Sequence, residues 1–185
     1  MTTALPSLAP GNLRILPLSD SKVLNGFSSG EPEVDRNLPK CCMWNEEHRA
    51  KTYCGFDGDE PRACAFYTLS LIAQEGRFLH PDITRGAAGH IVFIYINYFG
   101  VQKEQQGQGI GKIMLGHALK RCALVAATTG TYGVALNALT KRAEGLYYRY
   151  GFRPTDGKKF PFMIFPAQGL FDLAAIETAT REQTI

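Results

Sequence analysis

A glycine-rich segment is the clearest candidate for chemistry in this sequence. It reads Gln106-Gly107-Gln108-Gly109-Ile110-Gly111. The first turn of a helix has backbone N–H groups without intrahelical acceptors, and glycines let a ligand approach the backbone closely. The spacing differs from the G-x-G-x-x-G dinucleotide fingerprint, and no Gly-Lys-Ser/Thr ends it as in a Walker A loop. The segment predicts a different phosphate site, or else a glycine-rich turn without a ligand.

Two elements must position this loop. Residues 91–101 are apolar, aromatic and β-branched, which predicts a long central strand buried on both faces. Residues 107–128 have helical periodicity, and Gly130 can end the helix. The apolar residues expected near one face of that helix are Ile110, Ile113, Met114, Ala118, Cys122 and Val125.

The glycine loop resembles the pyrophosphate loop of the GNAT superfamily of acetyltransferases, Q/R-x-x-G-x-G/A. The matching residues are Gln106, Gly109 and Gly111. The resemblance implies an α/β (α+β) GNAT fold, with a mixed, mostly antiparallel central sheet flanked by helices. It also implies acetyl-CoA as cofactor, with no metal. The chain is then expected to be an N-acetyltransferase.

The same resemblance assigns cofactor contacts to this sequence. It implies that backbone N–H groups from Gln108 to Lys112 bind the pyrophosphate, and that Phe99 and Val101 pair with the pantetheine arm. The complete expected set is Phe99, Gly100, Val101, Gln106, Gly107, Gln108, Gly109, Ile110, Gly111, Lys112, Asn137 and Ala143.

A second segment resembles the GNAT signature A-x-x-F-Y-x-x-x-G-F. It begins at Ala143, has Leu146 in place of the phenylalanine, and ends at Gly151-Phe152. Tyr147 is then the family tyrosine, which implies a catalytic acid. A phenol, with a pKa near 10, is protonated at neutral pH and can give a proton to the leaving sulfur of acetyl-CoA. Tyr148 and Tyr150 are rivals for this role, and Tyr147 could instead be a core residue.

The N-terminal third resembles a narrower group, the toxin-type GNAT proteins of bacterial toxin–antitoxin modules. Residues 27–38 match their opening pattern F-x-C/S-G-x-x-x-L-D-x-x-L, with Val34 in place of the first leucine. Residues 52–53, 65–70 and 160–166 continue the match. This resemblance implies acetylation of the α-amine of aminoacyl-tRNA, which stops translation. It also implies a ribbon-helix-helix antitoxin as partner, and we expect a homodimer.

The predicted strand at 91–101 contains no Asp or Glu that could act as general base. A lysine substrate, with a pKa near 10.4, would need such a base, whereas an α-amine near 8 is already partly neutral. An enzyme without an obvious base therefore suits an aminoacyl-tRNA. His90 could still be the base, or it could be a histidine at the edge of a loop.

Basic residues concentrate at 141–160. This segment contains six basic residues and two acidic residues, Glu144 and Asp156. We expect charged tRNA to bind this surface, although a solvated face is the plain alternative. The basic residues are Lys141, Arg142, Arg149, Arg153, Lys158 and Lys159. Two other functions stay open: acetylation of a small-molecule or protein amine, and a non-catalytic module that binds acetyl-CoA.

The 185 residues, 45% hydrophobic and 20% charged, are expected to form one domain, with residues 1–12 and 174–185 flexible. Further strands are expected at 13–18, 52–56, 63–73, 132–136 and 161–165. Helices are expected at 34–49, where Pro39 must interrupt or start the helix, and at 141–150 after a Thr140 cap.

The five cysteines lack metal-site spacing, and one of them could be a nucleophile. Without a signal peptide or membrane span, we expect a soluble, cytoplasmic protein.

Overall fold

The computed structural model describes residues 12–76, 79, 89–155 and 161–170. The strands are β1 (Leu13–Pro17), β2 (Lys51–Asp57), β3 (Ala63–Glu75), β4 (His90–Val101), β5 (Gly133–Asn137), β6 (Arg153–Pro154) and β7 (Phe162–Pro166). Three α-helices lie wholly within the described residues, α1 (Pro32–Glu46), α2 (Ile110–Thr129) and α3 (Lys141–Arg149), and residues 167–170 are also helical. In the described part of the chain, no helix is both long and apolar enough to cross a membrane. The flexibility predicted for 1–12 and 174–185 concerns residues that, apart from Asn12, lie outside the described ranges.

The strands form one seven-stranded sheet in the order β1-β2-β3-β4-β5-β7-β6. β4 and β5 run parallel, with Ile94 opposite Val134. The pairs β1/β2, β5/β7 and β6/β7 are antiparallel. The predicted fold class, a mixed and mostly antiparallel sheet with helices, is therefore confirmed.

The chain divides into two compact units. Of the described residues, one unit contains those at 12–68 and 98–116, and the other contains those at 69–97 and 117–170. β3, β4 and α2 each supply residues to both units. The glycine loop lies in the first unit, and Tyr147 lies in the second.

The core of the first unit contains two aromatic pairs, one between Phe27, which precedes α1, and β3, and one between β2 and β3. The Phe27 and Phe66 rings meet edge to face at 5.2 Å between centroids, and Tyr53 stacks on Tyr67 at 5.1 Å. A buried hydroxyl pair lies in the same strands, with 2.9 Å between the Oγ1 atoms of Thr52 and Thr68. Each hydroxyl is thereby satisfied without water, as buried polar groups must be.

The second unit builds its core on the first half of β4. Phe93 is fully buried and packs with Leu79, Ile91, Ala135 and Ile164. Edge-to-face contacts join Phe93 to Tyr132 and Phe162, with ring centroids 6.2 Å apart in both cases. This cluster joins β4, β5 and β7, the strands that precede and follow α3 along the chain.

Short-range signals set several element ends, and the Thr140 cap and the Gly130 helix end are among those predicted. The Asp20 side chain accepts from the N–H of Lys22 and caps a short 3-10 helix. Thr140 accepts from the N–H of Ala143 at the start of α3. Gly130 and Gly151 follow α2 and α3 with φ of 71° and 95°, the left-handed region that favours glycine.

Three details of the predicted elements are wrong. α1 continues through Pro39, because its apolar face is buried at Val34, Leu38 and Cys41 and offsets the missing backbone hydrogen bond. β4 is not buried on both faces throughout, since Val92 is 45% exposed. Val125 is also exposed, because the buried stripe of α2 advances by four residues from Cys122 to Ala126.

Candidate functional site

The loop between β4 and α2 exposes its backbone at two glycines. Gly107 and Gly109 have φ of 84° and 87°, a conformation that residues with a Cβ rarely adopt. A Cβ built at either position meets no heavy atom within 4 Å. The glycines are therefore required by backbone conformation, and the space above them is open to a ligand.

Four consecutive N–H groups in this loop have no acceptor within the described residues: those of Gln108, Gly109, Ile110 and Gly111. Gln108 and Gly109 lie just before α2 and Ile110 and Gly111 lie in its first turn, where unsatisfied donors and the helix dipole favour an anion. The N–H of Lys112 departs from the prediction, because it donates to the Gly109 carbonyl at 3.0 Å. The predicted row of five donors is thus a row of four.

Gln106 and Gln108 differ in what their side chains do. Gln106 Nε2 donates to the carbonyls of Ser29 at 2.8 Å and Val101 at 3.1 Å, so its amide fastens the loop to the chain. The Oε1 atom of Gln108 is buried and has no hydrogen-bond donor within the described part of the chain. A buried acceptor without a partner beside a row of free donors fits a ligand that carries both anionic oxygens and N–H groups.

The end of β4 lies close to the start of α2. A Cβ on Gly111 would lie 3.8 Å from Val101 Cγ2 and 3.9 Å from Phe99 Cε1, ordinary contact distances. At Gly100 a Cβ would come within 2.9 Å of the Phe66 ring. Gly100 is therefore required for packing, whatever its backbone binds. Most of the predicted cofactor residues, at 99–101 and 106–112, therefore lie in the first unit.

The remaining predicted cofactor residues lie in the second unit. Asn137 ends β5, and its Oδ1 accepts from the Tyr95 hydroxyl at 2.6 Å. Ala143 lies in the first turn of α3, where its N–H donates to Thr140 Oγ1 at 3.1 Å. Both groups thus have partners inside the protein.

Tyr147 is the buried one of the three candidate tyrosines. It is 6% exposed and packs on Phe152, with ring centroids 5.7 Å apart. Burial raises the pKa of its phenol above the ordinary value, so the side chain keeps its proton. Tyr148 is 54% exposed, and the Arg153 guanidinium lies 4.3 Å above its ring. Tyr150 is half-buried at the C-terminal end of α3.

The predicted basic surface is only partly described. Lys141 forms an ion pair with Glu144 at 2.7 Å, and Arg153 donates to the carbonyls of Tyr148 and Phe152. Arg142 and Arg149 are exposed, seven residues apart on α3 and so near one side of the helix. Lys158 and Lys159 lie outside the described residues.

The structure argues against a nucleophilic cysteine. All five cysteines are free thiols, and four are buried. Burial raises the pKa of Cys41 and Cys64 to about 11, and that of Cys54 and Cys122 to about 12. Burial also raises the pKa of Cys42. None of these thiols is poised to form a thiolate at neutral pH.

In the described residues, no cluster of His, Cys, Asp or Glu could hold a metal ion.

Sequence reasoning missed several polar residues in and beside this region. Asn97 Nδ2 donates to Ser70 Oγ at 2.8 Å, next to the Tyr95–Asn137 pair in the second unit. The polar side chains of Tyr95 and Asn97 within the otherwise apolar β4 could have indicated this hydrogen-bonded cluster. His90 is exposed and is the first residue of β4, at the start of the strand as expected.

Both a family model and a curated relative that match this chain are acetyltransferases. Residues 65–154 match the family model described as the acetyltransferase (GNAT) domain. A curated relative from Mycobacterium tuberculosis (strain ATCC 25618 / H37Rv), a tRNA-acetylating toxin, is 27% identical over 159 residues. That match covers 83% of this chain and 93% of the relative.

Solved structures share the fold at lower identity. A tyrosine-to-phenylalanine mutant of KacT has a TM-score of 0.77 and 22% identity, and the match covers 88% of this chain and 99% of that chain. AtaT complexed with acetyl-methionyl-tRNAfMet has a TM-score of 0.73 and 20% identity, with 87% and 98% covered. AtaT bound to the C-terminus of the antitoxin AtaR and acetyl-CoA has a TM-score of 0.71 and 21% identity, with 88% and 98% covered.

Proposed function

We infer from the match of residues 65–154 to the GNAT acetyltransferase domain model that this chain is an acetyl-CoA-dependent N-acetyltransferase. The carrying observation is the row of N–H groups from Gln108 to Gly111, which have no acceptor within the described residues and lie beside open space at Gly107 and Gly109. Acetyl-CoA supplies an activated acetyl group on a thioester and a pyrophosphate by which it can be held. The loop offers what a pyrophosphate requires: closely spaced donors, the positive end of a helix dipole, and no side chain in the way.

Tyr147 is proposed as the catalytic acid. Its buried phenol stays protonated, so it can donate a hydrogen bond or proton to a sulfur that develops negative charge. The aromatic neighbour Phe152 holds the ring in place.

The proposed acceptor is the α-amine of the amino acid on charged tRNA. β4 carries no Asp or Glu, so a substrate that is partly neutral at pH 7 suits this chain better than lysine. The M. tuberculosis relative is named for tRNA acetylation, and AtaT was solved with acetylated methionyl-tRNA. On this proposal the protein is a toxin that stops translation by blocking aminoacyl-tRNA.

The acceptor is tested by comparing rates of acetyl transfer. We expect purified protein to acetylate charged tRNA, and to acetylate the same amino acid free in solution far more slowly, because only the tRNA brings phosphate contacts. Deacylated tRNA is the control for acetylation elsewhere on the nucleic acid. Equal rates, or a preference for the free amino acid, would favour the small-amine alternative. Acetyl-CoA binding without transfer to any amine would favour the non-catalytic module.

A second prediction concerns the exposed arginines of α3. Reversing Arg142 and Arg149 to glutamate should weaken binding of charged tRNA at least tenfold and reduce its dependence on salt, because each phosphate contact adds about one to the log–log salt slope. Binding of acetyl-CoA should be unchanged. The matched control reverses the exposed Lys120 and Arg121 on α2, which changes the net charge equally. If both double variants weaken tRNA binding alike, the α3 surface has no specific role.

The proposal extends to partners. AtaT has been solved with the antitoxin AtaR, and a KacTA complex with DNA has been solved as well. We propose a ribbon-helix-helix antitoxin for this chain, a homodimeric state, and a cytoplasmic location where charged tRNA is found. Co-expression with the product of a neighbouring small gene, followed by size-exclusion chromatography with light scattering, would measure both assemblies.

A further inference from the structure

Asp35 gathers an unusual number of hydrogen bonds at the start of α1. Its Oδ1 atom accepts from the N–H of Ser29 at 2.7 Å and from Ser29 Oγ at 2.6 Å. Its Oδ2 atom accepts from Ser28 Oγ at 2.8 Å and from the N–H of Gly30 at 3.2 Å. One carboxylate therefore fixes three consecutive residues of the loop before the helix.

That loop is in turn bonded to the segment that carries the glycines. The N–H of Ser28 donates to Gln102 Oε1 at 3.0 Å, and the Ser28 carbonyl accepts from the N–H of Lys103 at 2.9 Å. The Ser29 carbonyl accepts from Gln106 Nε2 at 2.8 Å. Three hydrogen bonds thus join residues 28–29 to residues 102–106, immediately before the row of N–H donors.

Gly30 completes the connection. Its φ of 74° needs glycine, and a Cβ there would lie 3.1 Å from the Lys103 side chain. The loop at 28–30 and the segment at 102–106 therefore approach closely as well as bond. Ser29 is buried, and Asp35 accepts from its N–H and is the nearer acceptor of its hydroxyl, at 2.6 Å against 3.5 Å for the Glu31 carbonyl.

We propose that Asp35 is a positioning residue for the cofactor loop, acting through Ser29 and Gln106. Asp35 holds the Ser29 carbonyl where Gln106 needs it, and Gln106 holds the start of the glycine loop against the end of β4. The inference rests on the proposed function, because the loop matters only if it binds acetyl-CoA. On this inference, Ser29, Gly30 and Asp35 of the motif at 27–38 all support binding of the cofactor.

The charge of Asp35 suits this role. Burial favours its neutral form, but hydrogen bonds from Ser29, Ser28 and Gly30 outweigh that effect and lower its pKa below the ordinary value. The carboxylate is therefore ionised at neutral pH, and hydrogen bonds to an ionised group are the stronger kind.

The test is a set of single variants compared for acetyl-CoA affinity. Asp35→Asn keeps one carbonyl oxygen for Ser29 but places an NH₂ group against the N–H of Gly30. We expect its Kd and KM for acetyl-CoA to rise roughly tenfold, with kcat at saturating acetyl-CoA changed much less, because the loop is displaced and the acid is untouched. The control is Glu33→Gln, which removes the same charge in the same turn from a carboxylate that bonds Arg36 and Asn37. It should leave affinity unchanged.

A double-mutant cycle separates positioning from general destabilisation. If Asp35 acts through Gln106, then Asp35→Asn and Gln106→Met should be strongly non-additive in acetyl-CoA affinity, and additive effects would overturn the inference. Ser28→Ala, which removes a single contact to Oδ2, replaces Asp35→Asn in the cycle if that variant does not fold.

The two possible failures are distinguishable. Wild-type protein that does not bind acetyl-CoA would overturn the proposed function and this inference together. The inference alone would be overturned if the wild-type protein binds acetyl-CoA and the variants Asp35→Asn and Ser28→Ala both bind it as tightly as Glu33→Gln does.

Discussion

Replacing Tyr147 with phenylalanine should lower kcat by roughly 10²–10⁴-fold, the range for a lost acid–base group. The change removes one hydroxyl and keeps the ring that packs on Phe152, so the fold should survive. Acetyl-CoA affinity should be nearly unchanged, because the donors of the glycine loop are untouched. Steady-state kinetics with charged tRNA, together with calorimetric titration of acetyl-CoA, would measure both quantities.

The neighbouring tyrosines provide matched controls on the same helix. Tyr148→Phe and Tyr150→Phe also remove one hydroxyl each, and Tyr148 is largely exposed beside Arg153. We expect both to keep most of their activity. Full activity in Tyr147→Phe with loss in either neighbour would assign the acid to another residue, and full activity in all three would make Tyr147 a core residue.

The parts of this protein that can be predicted from sequence are those set by local chemistry. Gly130 and Gly151 end helices because a left-handed residue is needed there, and Thr140 caps α3 because its hydroxyl accepts from an N–H three residues on. The strands and helices lie where apolar periodicity is strong. The glycine loop is recognisable because the left-handed conformation at Gly107 and Gly109 favours glycine.

What cannot be predicted depends on residues far apart in the chain. The hydrogen bond from Gln106 to Ser29 spans 77 positions, so the motif at 27–38 can be matched without revealing what it holds. Gly100 is among the predicted cofactor residues, yet its missing side chain is explained by packing against Phe66, Val34 and Phe27. Asn137 has a partner in Tyr95 that only the β4/β5 register brings close.

The wrong predictions have the same origin. Pro39 breaks a helix in isolation, but burial of one face of α1 carries the helix past it. Val92 and Val125 look like core residues by type, but composition does not say which face of a sheet or helix is covered.

The glycine loop yields the second large effect, at Gly111. Replacing it with tryptophan should weaken acetyl-CoA binding by at least roughly 100-fold, because two or more hydrogen bonds to a charged ligand, at about 1.5–3 kcal/mol each, would be blocked. The position is in the first turn of α2, close to Val101 and Phe99, where the pantetheine arm is proposed to pair. An indole there would occupy the space beside the donors. Titration calorimetry at a temperature well below the unfolding transition would measure the loss.

Alanine at the same position is the matched control, because it adds a side chain without filling the site. The Cβ of Gly111→Ala would lie 3.8 Å from Val101 and 3.9 Å from Phe99, which is ordinary van der Waals contact, and its helical φ strains no side chain. It should bind acetyl-CoA nearly as well as wild type. The same methyl group at Gly109, where φ is 87°, should be harmful through the backbone instead. A folded Gly111→Trp variant with unchanged acetyl-CoA affinity would show that this loop does not hold the cofactor.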